Sequence, residues 1–478
     1  MKLVHVGLST VISLSVLGAC SKVSSSHSGT SGHPEYIKES FTAQTGKDAL
    51  LVSPVAVPEY LPTKSVVISL TVLTDSHQHA MAKALLDSKI ETLYVMVPKI
   101  YEYKTATQSP DFQALKALGA DLGKVVLVPA KDSAATEANL QNGSKYLTVW
   151  ARDWSPQSAY TANGQLVLLD FNYYSDRDAD DSTARSLVDL FNQDLPTTAI
   201  VSSPEVVGRV SVPVYNEGGN FMNNESGDCL MTTRVTDANS AEAISAAAED
   251  NIRKKIFGDE VMDKTEIIRQ YKEKAGCKTV TIFPRIPYEG TGHIDMWAKF
   301  LDNKTIIVNE LRDEAVNLEW YQDDERAKAV EVQTFLNARA NDIAKLGFKV
   351  VRIPMPAIVF GYSAYFDEAQ TQVIDFPDVW RSYTNSITVN GTAVTPRYQA
   401  MDAEAPVFDA KTEEYLGSTA ITDAYPDAHL IQAYEDEARR AYESLGYQMN
   451  FVTVDNLISI GGAIHCTTMQ IAKNPNVL

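Results

Sequence analysis

Four short segments carry side chains whose types and spacing could do chemistry together. Gly461-Gly462-Ala463-Ile464-His465-Cys466-Thr467-Thr468 leads flexible glycines into a cysteine near the end of the chain. A thiolate is a potent nucleophile only where positive charge or dipoles stabilise it, and a cationic substrate can supply that charge. A cysteine without such help is an inert buried residue. Gly292-His293-Ile294-Asp295-Met296 spaces a histidine and an aspartate two residues apart. On a strand those two project from one face, the histidine as general acid/base and the aspartate as a cation holder; a plain surface His–Asp contact is the alternative. Trp150-Ala151-Arg152-Asp153-Trp154-Ser155-Pro156 follows a β-like run and ends in a turn. A carboxylate beside two indoles can take paired hydrogen bonds from a planar guanidinium, unless Arg152 and Asp153 simply pair with each other. In Glu217-Gly218-Gly219-Asn220 the paired glycines permit a positive φ or close backbone approach, or form an ordinary turn between strands.

Taken together these residues form the parts list for one reaction. Asp153 and Asp295 bind the nitrogens of a guanidinium group, and Cys466 attacks its carbon to give a covalent intermediate. His293 protonates the departing ammonia and then activates water, leaving a ureido group. A metal site is not expected at His293 and Asp295, because no third and fourth ligand lie at a suitable spacing.

The elements that must position these residues alternate along the chain. Strand-like runs cover Ser65 to Val72, Thr92 to Val97, Lys124 to Val128 and Leu166 to Phe171. Others cover Lys278 to Pro284, Thr305 to Val308, Phe348 to Ile353 and Gln448 to Val454. Helical patterns cover His79 to Ser88, Ala241 to Phe257, Ala327 to Leu346 and Ala428 to Leu445, the last stopped by Gly446. No linker interrupts the alternation, so one large α/β domain is expected over residues 47–478.

A net charge of −19 argues against a nucleic-acid partner, whose phosphates reward basic residues, and weakly suits a cationic substrate. Lys2 and the apolar run Val11 to Leu17 read as a signal peptide over residues 1–19, too short to span a membrane comfortably. Leu17-Gly18-Ala19-Cys20 resembles a bacterial lipobox. That resemblance implies lipidation at Cys20, export, and anchoring to a cell-envelope membrane. Residues 20–46, rich in Ser, Gly, Thr and His, read as the flexible tether. With Cys20 acylated and Cys466 free, Cys229 and Cys277 either pair or remain two separate buried thiols.

Trp-x-Arg-Asp, Glu-Gly-Gly-Asn, Gly-His-x-Asp and Gly-Gly-x-Ile-His-Cys, in that order, resemble the agmatine deiminase and bacterial peptidylarginine deiminase family of the pentein superfamily. The resemblance runs from about Pro58 to Gln470 and includes Pro58-Glu59-Tyr60-Leu61-Pro62 and Tyr383-Thr384-Asn385-Ser386. It implies a five-bladed α/β propeller and deimination without cofactor. Cys466, His293, Asp153 and Asp295 are the implied catalytic residues. Trp150, Arg152, Glu217, Gly219, Asn220, Arg177 and Asn385 are the implied substrate-binding ones. The implied substrate is peptidyl or protein arginine, with agmatine or free arginine as the small-molecule alternative and a non-catalytic ligand-binding lipoprotein as another. Glu217 slightly favours agmatine. Asn224 stands where the family commonly has an Asp that aids substrate binding, Ser155 and Ala463 replace family glycines, and the usual proline after the cysteine is missing. The segment Asp170 to Asp178 resembles one that carries two carboxylate-binding arginines in the peptidyl enzymes. Here the two positions are Ser175 and Arg177, which predicts a weaker preference for C-terminal arginine.

Overall fold

A computed structural model describes residues 37–40, 54–162, 164, 166–174, 176–191, 206–246, 261–361, 363–365 and 371–473. Its strands form six sheets, and five of them follow one recipe. In each, a first strand runs antiparallel to a second, which runs parallel to a third. One such unit is Ala298–Phe300, Thr305–Glu310 and Lys349–Pro354. Met222–Asn223, Asp228–Thr232 and Thr279–Phe283 make another. Ile387–Val389, Thr392–Arg397 and Gln448–Thr453 make a third. Gln157–Tyr160, Leu166–Asn172 and Val206–Tyr215 repeat the pattern, with Val55–Ala56 on the outer edge. The remaining unit pairs Met469–Ala472, from the end of the chain, with Thr63–Ser69, which continues to Thr92–Val97 and Val125–Pro129.

Parallel neighbours need a crossover, and helices supply it. His79–Asp87 buries Met81, Leu85 and Leu86 between Thr63–Ser69 and Thr92–Val97. Asp323–Lys345 and Ala428–Ser444 do the same in their units. The latter stops where Gly446 takes φ +90°, a left-handed turn that disfavours a side chain. The sixth sheet, Ser363–Tyr365, Gln372–Asp375, Met401–Asp409 and Tyr415–Asp423, is antiparallel throughout; its first two strands precede Ile387–Val389 and its last two interrupt the last crossover. Its final strand alternates exposed and half-buried residues, as a sheet with one wet face does. The main core gathers apolar residues from Val66 to Cys466, so the elements build one domain rather than several.

Most strand and helix expectations match the observed elements to within a few residues. The exception at the start is Ser65 to Val72, where the strand ends at Ser69 and Leu70–Leu73 turns helical under a side-chain cap from Ser69 to Thr71 N–H. The expected helix at Ala241 is described only over Ala241–Ala246. Four residues of the expected tether, Ile37–Ser40, add an antiparallel strand to Thr279–Phe283, gaining ladder hydrogen bonds that a free chain would give to water. The leader, Cys20 and the rest of the tether lie outside the described residues. Among the described residues no helix is long and apolar enough to cross a membrane.

Cys229 and Cys277 form a disulfide, and Cys466 is a free buried thiol. The bond ties the start of Asp228–Thr232 to the second residue after helix Lys264–Ala275 across a separation of 48 residues. A loop of that length gives a stabilisation of about 4 kcal/mol in the chain-entropy view. A thiol titration of the denatured, unreduced body lacking Cys20 is expected to find the single thiol of Cys466. Cys229→Ala/Cys277→Ala should lower urea stability by about 2–4 kcal/mol. Three titratable thiols would overturn the pairing.

Candidate active site

The catalytic candidates sit at equivalent places in the five repeating units. Each lies in the turn just before the first strand of a unit. Asp153 precedes Gln157–Tyr160, Glu217 to Asn220 precede Met222–Asn223, and His293 and Asp295 precede Ala298–Phe300. Asn385 precedes Ile387–Val389, and Cys466 precedes Met469–Ala472.

Hydrogen bonds stitch these turns into a closed ring. Arg152 N–H donates to Cys466 O (2.9 Å), and Gly219 N–H to Asp153 Oδ1 (3.0 Å). Asn220 holds Thr232 through both backbone N–H (3.0 Å) and hydroxyl (2.9 Å), and that hydroxyl donates to Gly292 O. Thr384 Oγ1 donates to Asp295 O (3.1 Å), and His465 N–H to Asn385 O (3.2 Å). The paired glycines are there for close approach, not for positive φ. A Cβ on Gly218 would collide with Arg152 O, and one on Gly219 would lie 2.7 Å from His293 Nδ1 and 2.9 Å from Asp295 Oδ2.

His293 and Asp295 come together, but not on a strand. Gly292 takes φ +70°, His293 is extended, and Ile294–Met296 form a single 3₁₀ turn. The turn chemistry of the preceding glycine overrides the two-residue period. Glu289 braces it from within by accepting from Thr291 N–H (3.0 Å) and Gly292 N–H (2.6 Å).

Cys466 is 3% exposed, and its Sγ is 3.9 Å from Asp295 Oδ2. Asn385 Nδ2 donates to both, at 3.2 and 3.3 Å. On the other side of the site, His293 Nε2 contacts Glu217 Oε2, and His293 Nδ1 lies 3.7 Å from Asp153 Oδ1. Burial alone would pull His293 down, but the carboxylates of Glu217 and Asp153 outweigh it and push it up to about 9. Burial pushes Asp153 up to about 7, opposed by His293. Glu217 is held well below the usual carboxylate range: burial raises it, but Arg234 and His293 more than compensate. Burial, then Asp295 and Asp153, raise the Cys466 thiol well above its ordinary range. Near neutral pH the site therefore holds a protonated His293 imidazole, a neutral Cys466 thiol and an Asp153 carboxyl close to half-protonated. Asp295 Oδ1 and His293 Nδ1 are buried without a hydrogen-bond partner among the described residues, so both can meet a ligand.

Trp150 also joins the site, its ring packed against Gly462 beside Cys466. Arg177 lies nearby through Tyr173 and Tyr174, over whose rings its Cζ stands at 5.8 and 5.0 Å. Among the described residues it forms no ion pair with a carboxylate, while Asp178 instead pairs with Lys145 (2.8 Å). Ser175 lies outside the described residues.

Three expected substrate contacts have other work. The Arg152 guanidinium is 3.8 Å from Glu59 and donates to Gln470 Oε1 (2.7 Å) and His465 O (3.4 Å), which also rules out a local pair with Asp153. Both ends of the Asn220 amide are used by Thr232. The Glu217 carboxylate is shared between His293 and a two-point pair with Arg234 (2.9 and 3.2 Å). Asn224, singled out as a departure, bonds Asp228 (3.0 Å) and Asn303 O (3.1 Å) in a turn. Arg234, Glu59, Lys299 and His465 were not among the expected site residues. His465 and Glu59 stood inside quoted motifs, whereas Arg234 and Lys299 carried no signal in the sequence.

A buried thiol grouped with two carboxylates, an imidazolium and an amide has the parts that cysteine chemistry on a cationic, planar group needs. Residues 112–422 match the family described as Porphyromonas-type peptidyl-arginine deiminase, and the chain belongs to that family. With it comes the reaction class, hydrolysis of amidine C–N bonds. The C. jejuni agmatine deiminase has the same fold at 16% identity and a TM-score of 0.53, with 88% of this chain and 97% of that one covered. The Enterococcus faecalis agmatine deiminase is similar at 14% identity and a TM-score of 0.53, with 88% and 96% covered. No curated protein matches the chain in sequence.

Two expectations follow. The midpoint of Cys466 alkylation by iodoacetamide against pH should lie above the ~8.5 of a free thiol, and Asp295→Asn should lower it, because a lost negative charge favours the thiolate. An upward shift would contradict the geometry. Gly219→Ala should cut turnover by about 100-fold or more with little change in melting temperature, since its methyl displaces His293. Near-normal turnover would show that the close approach is not needed.

Proposed function

We propose that this protein hydrolyses peptidyl or protein arginine to citrulline and ammonia. The observation that carries this reading is the pair of buried carboxylates, Asp153 and Asp295, facing a thiol whose ionisation they oppose. A bound guanidinium reverses that balance. It neutralises both carboxylates, supplies positive charge beside Sγ and lets the thiol release its proton to solvent water, which leaves the thiolate. Sγ then attacks the guanidinium carbon, forming a C–S bond, and one C–N bond breaks as His293 gives its proton to the departing nitrogen. Neutral His293 next takes a proton from water. The resulting hydroxide attacks the same carbon, the C–S bond breaks and the ureido product leaves. Glu217, paired with Arg234, keeps His293 protonated for the first step.

The residues around Tyr174 favour a peptide over agmatine. Arg177 and Arg234 flank that ring, and Arg234 also donates to its hydroxyl. A second cation, as in agmatine, would approach the guanidinium of Arg177, which has no ion pair with a carboxylate among the described residues, whereas peptide carbonyls and a carboxylate would be attracted. Glu217 gives no counterweight, because its charge is already shared between Arg234 and His293. The five repeating units and their ring of turns support a five-bladed α/β propeller around the site. Leu17-Gly18-Ala19-Cys20 supports export and lipid anchoring at Cys20, and a disulfide suits an oxidising compartment.

Four substrates offered in parallel test the reading: an internal peptidyl arginine, a C-terminal peptidyl arginine, agmatine and free arginine. Ureido product and ammonia are expected from the peptides and not from Cys466→Ala. The gain from a free C-terminal carboxylate should be modest, because a single arginine stands in that segment. Faster turnover of agmatine would replace the substrate. No product from any of the four, with the protein folded and Cys466 reduced, would replace this reading with a transferase, another guanidino substrate or a binding protein.

A further inference from the structure

The mechanism above leaves unused a buried imidazole with two carboxylate partners. His465 stands next to the nucleophile, and its ring is clamped between two carboxylates. Nδ1 lies 2.6 Å from Asp295 Oδ2, and Nε2 lies 2.6 Å from Glu59 Oε2. Glu59 comes from the far end of the sequence, in the opening Pro58-Glu59-Tyr60-Leu61-Pro62 segment. Its other oxygen accepts from Lys299 Nζ and from Thr388 N–H (3.2 Å), and Arg152 lies 3.8 Å away. His465 and Lys299 are each 4% exposed, so water screens this network poorly. Burial raises Glu59, but His465, Lys299 and Arg152 together hold it well below the ordinary carboxylate range.

The consequence falls on Asp295. Its Oδ2 is fixed by His465 and Asn385, while Oδ1 has no partner among the described residues. A carboxylate is free to turn about its terminal bond unless one oxygen is held. Holding Oδ2 aims Oδ1 at whatever binds beside Cys466. We infer that His465, backed by Glu59, is a positioning residue that fixes the orientation in which Asp295 meets the guanidinium. The inference rests on the deiminase reading for its catalytic meaning, though the orientation of Asp295 can be tested without turnover. A histidine that merely bridged the opening segment to the core would serve Glu59 instead, and that difference is measurable.

The two ring nitrogens can be imitated one at a time. Asparagine places its amide near the position of Nδ1, and glutamine reaches the position of Nε2. His465→Asn therefore keeps the bond to Asp295 and drops Glu59, while His465→Gln keeps Glu59 and releases Asp295. In the otherwise unaltered body, kcat/KM for an arginine peptide should stay within about threefold of wild type in His465→Asn and fall about tenfold or more in His465→Gln. Protection of Cys466 from iodoacetamide by methylguanidinium should follow the same order and needs no turnover. A wild-type protein that is protected by methylguanidinium but converts no peptide would sink the deiminase reading while still testing this one. Equal losses in the two variants, or a larger loss in His465→Asn, would overturn the positioning role. Should neither variant fold, Glu59→Gln keeps the side-chain volume and weakens the clamp. About a tenfold loss of methylguanidinium protection then supports the inference, and wild-type protection defeats it.

Discussion

The structure depends on keeping several carboxylates buried around one thiol. Desolvating an isolated carboxylate costs several kcal/mol, so each must be answered by hydrogen bonds or opposite charge. Here the answers come as two chains of alternating sign. One runs Arg234, Glu217, His293, Asp153; the other runs Lys299, Glu59, His465, Asp295. Each ends in a carboxylate that faces the site. Two such ends repel a thiolate and attract a cation, so nucleophile and substrate charge become mutually dependent.

Such chains need precise spacing, and the repeating units provide it. Five turns in equivalent positions meet through backbone and side-chain hydrogen bonds from one to the next, so no catalytic side chain hangs from a free loop. Turns rather than strands carry the chemistry, while strands and crossover helices hold the turns in place. The cost is crowding where the turns converge. Gly218 and Gly219 leave room for Arg152 O and the His293 ring, and a single methyl is enough to disturb the ring of contacts. Two strands of the antiparallel sheet lie before the turn that carries Asn385 and two lie in the last crossover, so the sheet flanks the turns without forming one of them.

The departures from the family pattern look different once placed in the fold. Asn224 completes a turn with Asp228 and Asn303, so its replacement of an acidic residue says little about substrate charge. Arg234 bears more directly on the substrate end, because it converts Glu217 from an isolated carboxylate into a shared one.

By itself the sequence marked the alternating elements and the candidate nucleophile, acids and bases of the proposed reaction. Apolar periodicity set the strands and helices, since burial demands it locally. Glycine-rich turns marked Cys466, His293 and Glu217, because close backbone approach excludes larger residues. Only the tertiary structure decided how those residues divide the work. Arg152 and Asp153 are neighbours in sequence but serve different chains, one bonded to Gln470 and the other to Gly219. Glu59 and His465 are 406 residues apart yet share a hydrogen bond. Arg234 and Lys299 looked like any surface cations, and burial beside a distant carboxylate gave them their place. Cys229 and Cys277 could equally have stayed apart as thiols until the fold brought their sulfurs together. Chain position carries no distance between remote segments, and the charges of this site are matched entirely through such distances.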